Sequence, residues 1–178
     1  MSIFDFLGPK KDEPRGAAGE TETVRKILEE IDRLPPERAR YLAAFAYVLS
    51  RVARADLKVS PEETRAMERI VMEHGGLPEE QAMIAVQIAK HQNLLFGATE
   101  DFLVTREFRQ ISTEEEKLAL LDCLFSVAAA EELVSSTEDR EIRVIAAELG
   151  LTHQDFIAVR SRYRDRLSVL QRGGPKAE

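Results

Sequence analysis

A single cysteine, Cys123, leaves no partner for an intramolecular disulfide and excludes any cysteine-based metal site in this 178-residue chain. Long apolar runs are also missing. The strongest, Tyr41 to Leu49, is bounded by Arg40 and Arg51 and falls well short of the roughly 20 residues that a transmembrane helix needs. Met1 to Leu7 is too short for the apolar region of a signal peptide and carries Asp5. A cytoplasmic protein without a transmembrane segment is therefore expected. Positive charge is not in surplus: 25 Lys and Arg face 32 Asp and Glu, for a net charge of −7. Nucleic acid and anionic membranes both select concentrated positive charge, so neither is an expected general partner. No Gly-x-Gly-x-x-Gly or Walker loop, no Gly-x-Ser-x-Gly elbow and no EF-hand spacing occurs. No segment alternates with period two, so no sheet is expected.

What the chain does have is helical periodicity. Residues 8–21 are rich in Gly, Pro and charge and read as a flexible linker after a short apolar motif, Ile3, Phe4, Phe6 and Leu7. The expected organisation is an N-terminal segment 1–21, one helical domain over 22–170 and a disordered tail 171–178. Val24, Ile27, Leu28 and Ile31 mark a first helix over about 22–33. Pro35 and Pro36 interrupt it, and Pro36 suits the first turn of a second helix reaching Arg54. That helix and a later one, 114–131, are apolar on almost every face and belong at the centre of a bundle. Others are predicted over 61–74, 79–95, 100–110 and 136–149. A last one starts after Thr152 and carries Phe156, Ile157, Val159, Tyr163 and Leu167. The fold class is all-α, a compact bundle of about seven to eight helices.

The chain also repeats itself. An offset of 75 residues aligns 49–75 with 124–150 without a gap and gives 11 identities in 27 positions. They include Val59, Ser60, Glu63, Arg65 and Gly75, which meet Val134, Ser135, Glu138, Arg140 and Gly150. Asp56 meets Glu131, acid for acid. The expected architecture is two helix–loop–helix units, each unable to bury its apolar face alone, packed about a pseudo-two-fold axis.

The repeated segments carry a family resemblance. RADLKVSPEE, with Ala55, Asp56, Val59 and Glu63, resembles the Ala-Asp-Gly-x-Ile-x-x-x-Glu signature of TerB-like domains. AAEELVSSTE, with Ala130, Glu131, Val134 and Glu138, resembles the second copy that such domains carry. The resemblance covers roughly residues 36–168. Leu57 and Glu132 replace the family glycine, and Glu131 replaces the second aspartate. The resemblance implies a compact helical bacterial domain, found alone in tellurite-resistance operons or fused to J-domain co-chaperones and membrane segments. It implies a binding or scaffolding role, with acidic residues engaging metal ions and no enzymatic activity.

Two readings of the repeated acids stand side by side. Asp56, Glu63, Glu131 and Glu138 are hard oxygen donors of the kind that hold calcium, magnesium or manganese. Asp56 and Glu131 also end buried helices, where the macrodipole disfavours a carboxylate by about 0.3–1 kcal/mol. Alternatively, Ser60 with Glu63 and Ser135 with Glu138 form capping boxes, Asp56 bonds its own loop amides, and Arg65 or Arg140 supplies the balancing charge. His74, His91 and His153 lie on separate elements and read as solvated, and Cys123 reads as a small core residue. Arg160, Arg162, Arg164 and Arg166 read as a solvated helix face rather than a nucleic-acid stripe. The expected function is a non-enzymatic binding or adaptor domain with protein partners, in a stress-resistance or membrane-associated setting. The alternative is a divalent-cation-binding domain built on the acidic loops. The Ile3–Leu7 segment is expected to dock in a protein groove in preference to a membrane surface, because it lacks basic residues.

Overall fold

The computed structural model describes residues 18–53, 60–91, 101–131 and 133–171. Eight α-helices of a full two turns or more occur among them, and no strand. They are α1 (Ala18–Asp32), α2 (Pro36–Ala53), α3 (Pro61–Glu73), α4 (Glu79–Lys90), α5 (Asp101–Ile111), α6 (Glu114–Glu131), α7 (Ser136–Glu148) and α8 (His153–Ser161). A 3-10 turn over Arg164–Arg166 and a short α9 (Ser168–Gln171) follow. Asp56, the Ile3–Leu7 segment and residues 172–178 lie outside the described residues.

The two apolar helices are the centre of the bundle. Tyr41 through Leu49 are all buried on α2, and Leu120, Leu121, Cys123, Leu124 and Phe125 are fully buried on α6. Helix α2 lies against α4, α5 and α6; it also meets α7, as α6 meets α3. That reciprocal crossing is what a two-fold rotation of the units requires. Tyr41, Phe45 and Phe108 form one aromatic cluster with centroids 5.2–6.2 Å apart. Phe125 joins Phe156 and Tyr163 in another. A fully buried side chain of this size contributes about 1.5–3 kcal/mol, so these clusters are where the fold is fastened.

Local chemistry sets the helix ends. Ser60 and Ser135 cap α3 and α7, each accepting from the amide three residues on, while Glu63 and Glu138 accept from the cap amides at 2.6 and 2.8 Å. Thr113 with Glu116 and Thr152 with Asp155 repeat the pattern on α6 and α8. Helices α3 and α7 have the same length and sit 75 residues apart. Their exits differ. The left-handed residue is Gly150 after α7 (φ 77°) but Gly76 after α3 (φ 66°), so the sequence partner of Gly150, Gly75, does not share its conformation. Gly75 has another reason to be glycine: a Cβ there would lie 2.6 Å from the Val71 carbonyl oxygen and 2.9 Å from the Phe45 ring.

Three boundaries differ from the sequence expectation. Helix α4, expected over 79–95, ends at Lys90 with His91 as its C-cap. Helix α1 begins at Ala18, so its first turn takes in residues read as linker. Helix α8 ends at Ser161, leaving Tyr163 and Leu167 in the following turn. There Leu167 forms an isolated parallel bridge with Val134, through Val134 N–H to the Arg166 carbonyl and Ser168 N–H to the Val134 carbonyl.

Candidate functional site

The repeated acids resolve in part. Glu63 and Glu138 are both occupied as capping groups, as the capping reading expected. The cap holds the Glu63 carboxyl below its ordinary value, through the bond from the Ser60 amide and then that from the Ser60 hydroxyl. Glu131 is the last residue of α6, with no basic residue in the final turn; its side chain, like Asp56, lies outside the described part. Arg65 and Arg140 are exposed and form no ion pair with a described carboxylate. Among the described residues no group of three or more His, Cys, Asp or Glu is arranged to hold a metal ion.

A different constellation appears where α6, α8 and the end of α3 meet. An open cleft of about 290 Å³ is lined by Leu118, Ala119 and Asp122 of α6, Asp155, Ala158 and Val159 of α8, and His74 and Arg162. Asp122 is its hub. His74 Nδ1 lies 2.7 Å from Asp122 Oδ2, and Arg162 Nη1 reaches Oδ1 at a long 3.4 Å. The Tyr163 hydroxyl is 3.0 Å from both the carbonyl oxygen and Oδ1 of Asp122 and shares its one proton between them. Burial, and then the Asp122 charge, push that phenol above its ordinary value, so it stays a donor.

The chemistry follows from those contacts. An ionised carboxylate only accepts, so Nδ1–H of His74 donates to it and the bond fixes the orientation of the ring. The Arg162 side chain is 65% exposed, is held among the described residues by the long contact alone, and offers its remaining N–H groups to a ligand. The cleft lining holds no serine, threonine, cysteine or lysine for the His74–Asp122 pair to activate. Cys123, beside Asp122 in the chain, points into the core, and burial drives its thiol far above the ordinary range.

Comparison of the two repeats singles this cleft out. By the 75-residue offset Asp122 corresponds to Tyr47 and His74 to Leu149; past the glycine slip the offset is 74, and Arg162 corresponds to Ile88. All three counterparts are buried at 1% exposure. One half of the molecule has buried Leu149, Ile88 and Tyr47 at these positions, while the other has a polar set at an open cleft.

The sequence reading missed this site and mistook two of its members. His74 is not simply solvated but paired across 48 residues of chain. The arginines of 160–166 are not one helical face. Arg160 is bidentate to Asp139 at 2.7 and 3.0 Å, Arg162 faces Asp122, and Arg164 and Arg166 lie on the 3-10 turn. The available signal was Asp122 itself, a carboxylate in the middle of the apolar run from Leu118 to Val127.

A family model described as tellurite resistance protein TerB matches residues 42–161. No curated protein and no solved structure matches the chain.

Proposed function

Since this chain belongs to the TerB family, we propose that it is a non-enzymatic adaptor domain that takes a protein partner at the cleft between α6 and α8. The observation that carries the reading is the broken symmetry of the repeat: His74, Asp122 and Arg162 stand where the other half has buried Leu149, Tyr47 and Ile88. A polar, open surface where closed packing is available is what a recognition site needs and a core does not. The volume of about 290 Å³ lies at the lower edge of small-molecule pockets, about 300–1,000 Å³, and suits a side chain presented by a partner. The exposed guanidinium of Arg162 fits an acidic group, such as a partner's carboxyl-bearing loop. We place the adaptor in the bacterial cytoplasm, in the stress resistance for which the family is named.

The test is co-purification from the native host with the wild type and Arg162→Glu. Arg162 is exposed, so the fold survives the change. Proteins retained by the wild type and lost from the variant are expected; an unchanged set of partners would remove the cleft from consideration. Turnover of a substrate that depends on His74 would overturn the adaptor reading altogether.

A second reading rests on one further observation. Helix α6 ends in Glu131 without a basic residue in its last turn, an unfavourable charge at a negative dipole end, and Asp56 holds the matching position of the first repeat. A divalent cation at these loops offsets that charge. Metal-stripped protein unfolded with calcium, magnesium, manganese or zinc decides it. At 100 times the dissociation constant a ligand stabilises by about 2.7 kcal/mol, and the gain should vanish in Asp56→Ala/Glu131→Ala. No shift with any ion would leave Glu63 and Glu138 as caps alone.

A further inference from the structure

Helices α4 and α8 are equivalent in the two repeats, and each is held on one flank in the same way. Lys90 Nζ of α4 donates to Thr64 Oγ1 of α3 at 3.1 Å. Arg160 of α8 pairs with Asp139 of α7. Asp139 corresponds to Thr64 by the 75-residue offset, and Arg160 corresponds to Val86, one helical turn before Lys90. The opposite flanks differ. On α4 that flank carries Ile84 and Ile88, about 200° around the helix from Val86. Since α3 takes the other flank, α1, which packs on both α2 and α4, lies along this one, with Ile27 and Ile31 buried. On α8 the same flank carries Ala158 and Arg162 and opens as the polar cleft. No described helix lies across α6 and α8 there as α1 lies across α2 and α4.

Exposure follows the difference. Ala43 and Ala44 of α2 and Ile88 of α4 are buried, whereas their counterparts Leu118 and Ala119 are half-buried and Arg162 is exposed.

We propose that the cleft receives an acidic amphipathic helix from a partner protein, at the place α1 holds in the first repeat. The proposal rests on the adaptor reading above and specifies its ligand. Helix α1 displays the required pattern: an aliphatic pair at i and i+4, Ile27 and Ile31, turns inward, while Glu29, Glu30 and Asp32 stay exposed. In the cleft, Leu118, Ala119 and Ala158 offer an apolar strip to such a pair. The sign of the visitor's charge follows from which lining charges are already matched. Asp155 is held by the Thr152 amide and hydroxyl, and Asp122 by His74 and Tyr163. The exposed guanidinium of Arg162 is left to meet a carboxylate. A basic helix would find both lining carboxylates engaged. A second copy does not supply the helix, because its own α1 is packed against its own α2 and α4.

The probe is a peptide of residues 18–32, the α1 sequence itself. Fifteen residues form a marginal helix in water, so a lactam joins Glu22 to Lys26, an exposed pair already 3.1 Å apart. Titrated into the full-length, methyl-labelled protein, it should shift the signals of Leu118, Ala158 and Val159 saturably. Ile27→Asn/Ile31→Asn in the peptide should abolish the shifts. Arg162→Glu in the protein should weaken binding about tenfold with the unfolding midpoint unchanged. A Glu29→Gln/Glu30→Gln/Asp32→Asn peptide should bind wild type and Arg162→Glu alike. No shift at millimolar peptide overturns the proposal. So do shifts at Ile84 and Ile88 in place of the cleft, which would mean that the peptide only exchanges with the chain's own α1. If partners that depend on Arg162 co-purify while the peptide leaves the cleft signals unmoved, the adaptor reading stands and the helical ligand falls.

Discussion

Arg51 on α2 and Glu148 on α7 are joined with Nη1 2.6 Å from Oε2, so the first repeat is tied to the second by a charge pair whose arginine side chain is 6% exposed. Nε and Nη2 of the same guanidinium take Glu141 at 2.9 and 2.6 Å, and Nη1 also donates to the buried Thr105 hydroxyl of α5 at 2.7 Å. Removing one member of such a set strands the others, and that is dearer than the pair was worth. Arg51→Met should destabilise by about 3 kcal/mol in urea unfolding. A loss within about 0.5 kcal/mol, the size of an ordinary surface change, would mean that the carboxylates rehydrate freely.

The capping boxes set a pH dependence. Glu63 is held below its ordinary value by the Ser60 amide and then the Ser60 hydroxyl, and Asp155 by the Thr152 hydroxyl and then its amide. A carboxyl whose value is lower in the folded state binds its proton more tightly when unfolded. The stability it contributes is complete above the unfolded value and disappears as pH falls through the folded one. Urea midpoints should therefore drop as pH falls below the usual carboxylate range of about 4. The drop should be shallower in Glu63→Gln/Asp155→Asn. An unaltered slope in that variant would assign the acid sensitivity to other groups.

Ser60→Ala and Ser135→Ala test the same caps at neutral pH. Each should cost about 1 kcal/mol. The two losses should be additive, because the caps share no partner.

The paired glycines after α3 separate two reasons for lacking a side chain. Gly75→Ala places a methyl 2.6 Å from a backbone oxygen and 2.9 Å from the Phe45 ring, and overpacking of this kind costs about 1–3 kcal/mol. Gly76→Ala meets nothing within 4 Å and carries only left-handed backbone strain, about 1–2 kcal/mol. Thermal unfolding should rank Gly75→Ala as the less stable; the reverse order would show that the Phe45 ring can move aside.

Cys123 gives a simple check on the core. It is fully buried, with its thiol pushed far above the ordinary range, so a thiol reagent should react at the rate of global unfolding and no faster. Fast labelling of the native protein would place α6 at the surface.

Most of the fold was legible in the residues. Ser60, Pro61 and Glu63 define the start of α3 within one turn of chain, and Ser135 with Glu138 does the same for α7, because caps are local. The apolar run of α2 announced its central place for the same reason. What the sequence hid is tertiary. His74 and Asp122 belong to different helices of different repeats, and no spacing rule joins positions so far apart. Ala18 starts α1 in a stretch whose composition reads as linker, and the turn after Ser161 interrupts a pattern that periodicity would have carried through Tyr163. The alignment of Gly75 with Gly150 was right as sequence and misleading as conformation.

That slip of one residue has a geometric consequence. The extra residue lies in the turn after α3, since α3 and α7 are equally long and the left-handed glycines are Gly76 and Gly150. Five residues therefore join α3 to α4, where four join α7 to α8. The polar cleft lies beyond that point. The molecule is congruent with itself where it is held together and not where His74, Asp122 and Arg162 meet solvent. Two copies of one unit have become a body with a front and a back.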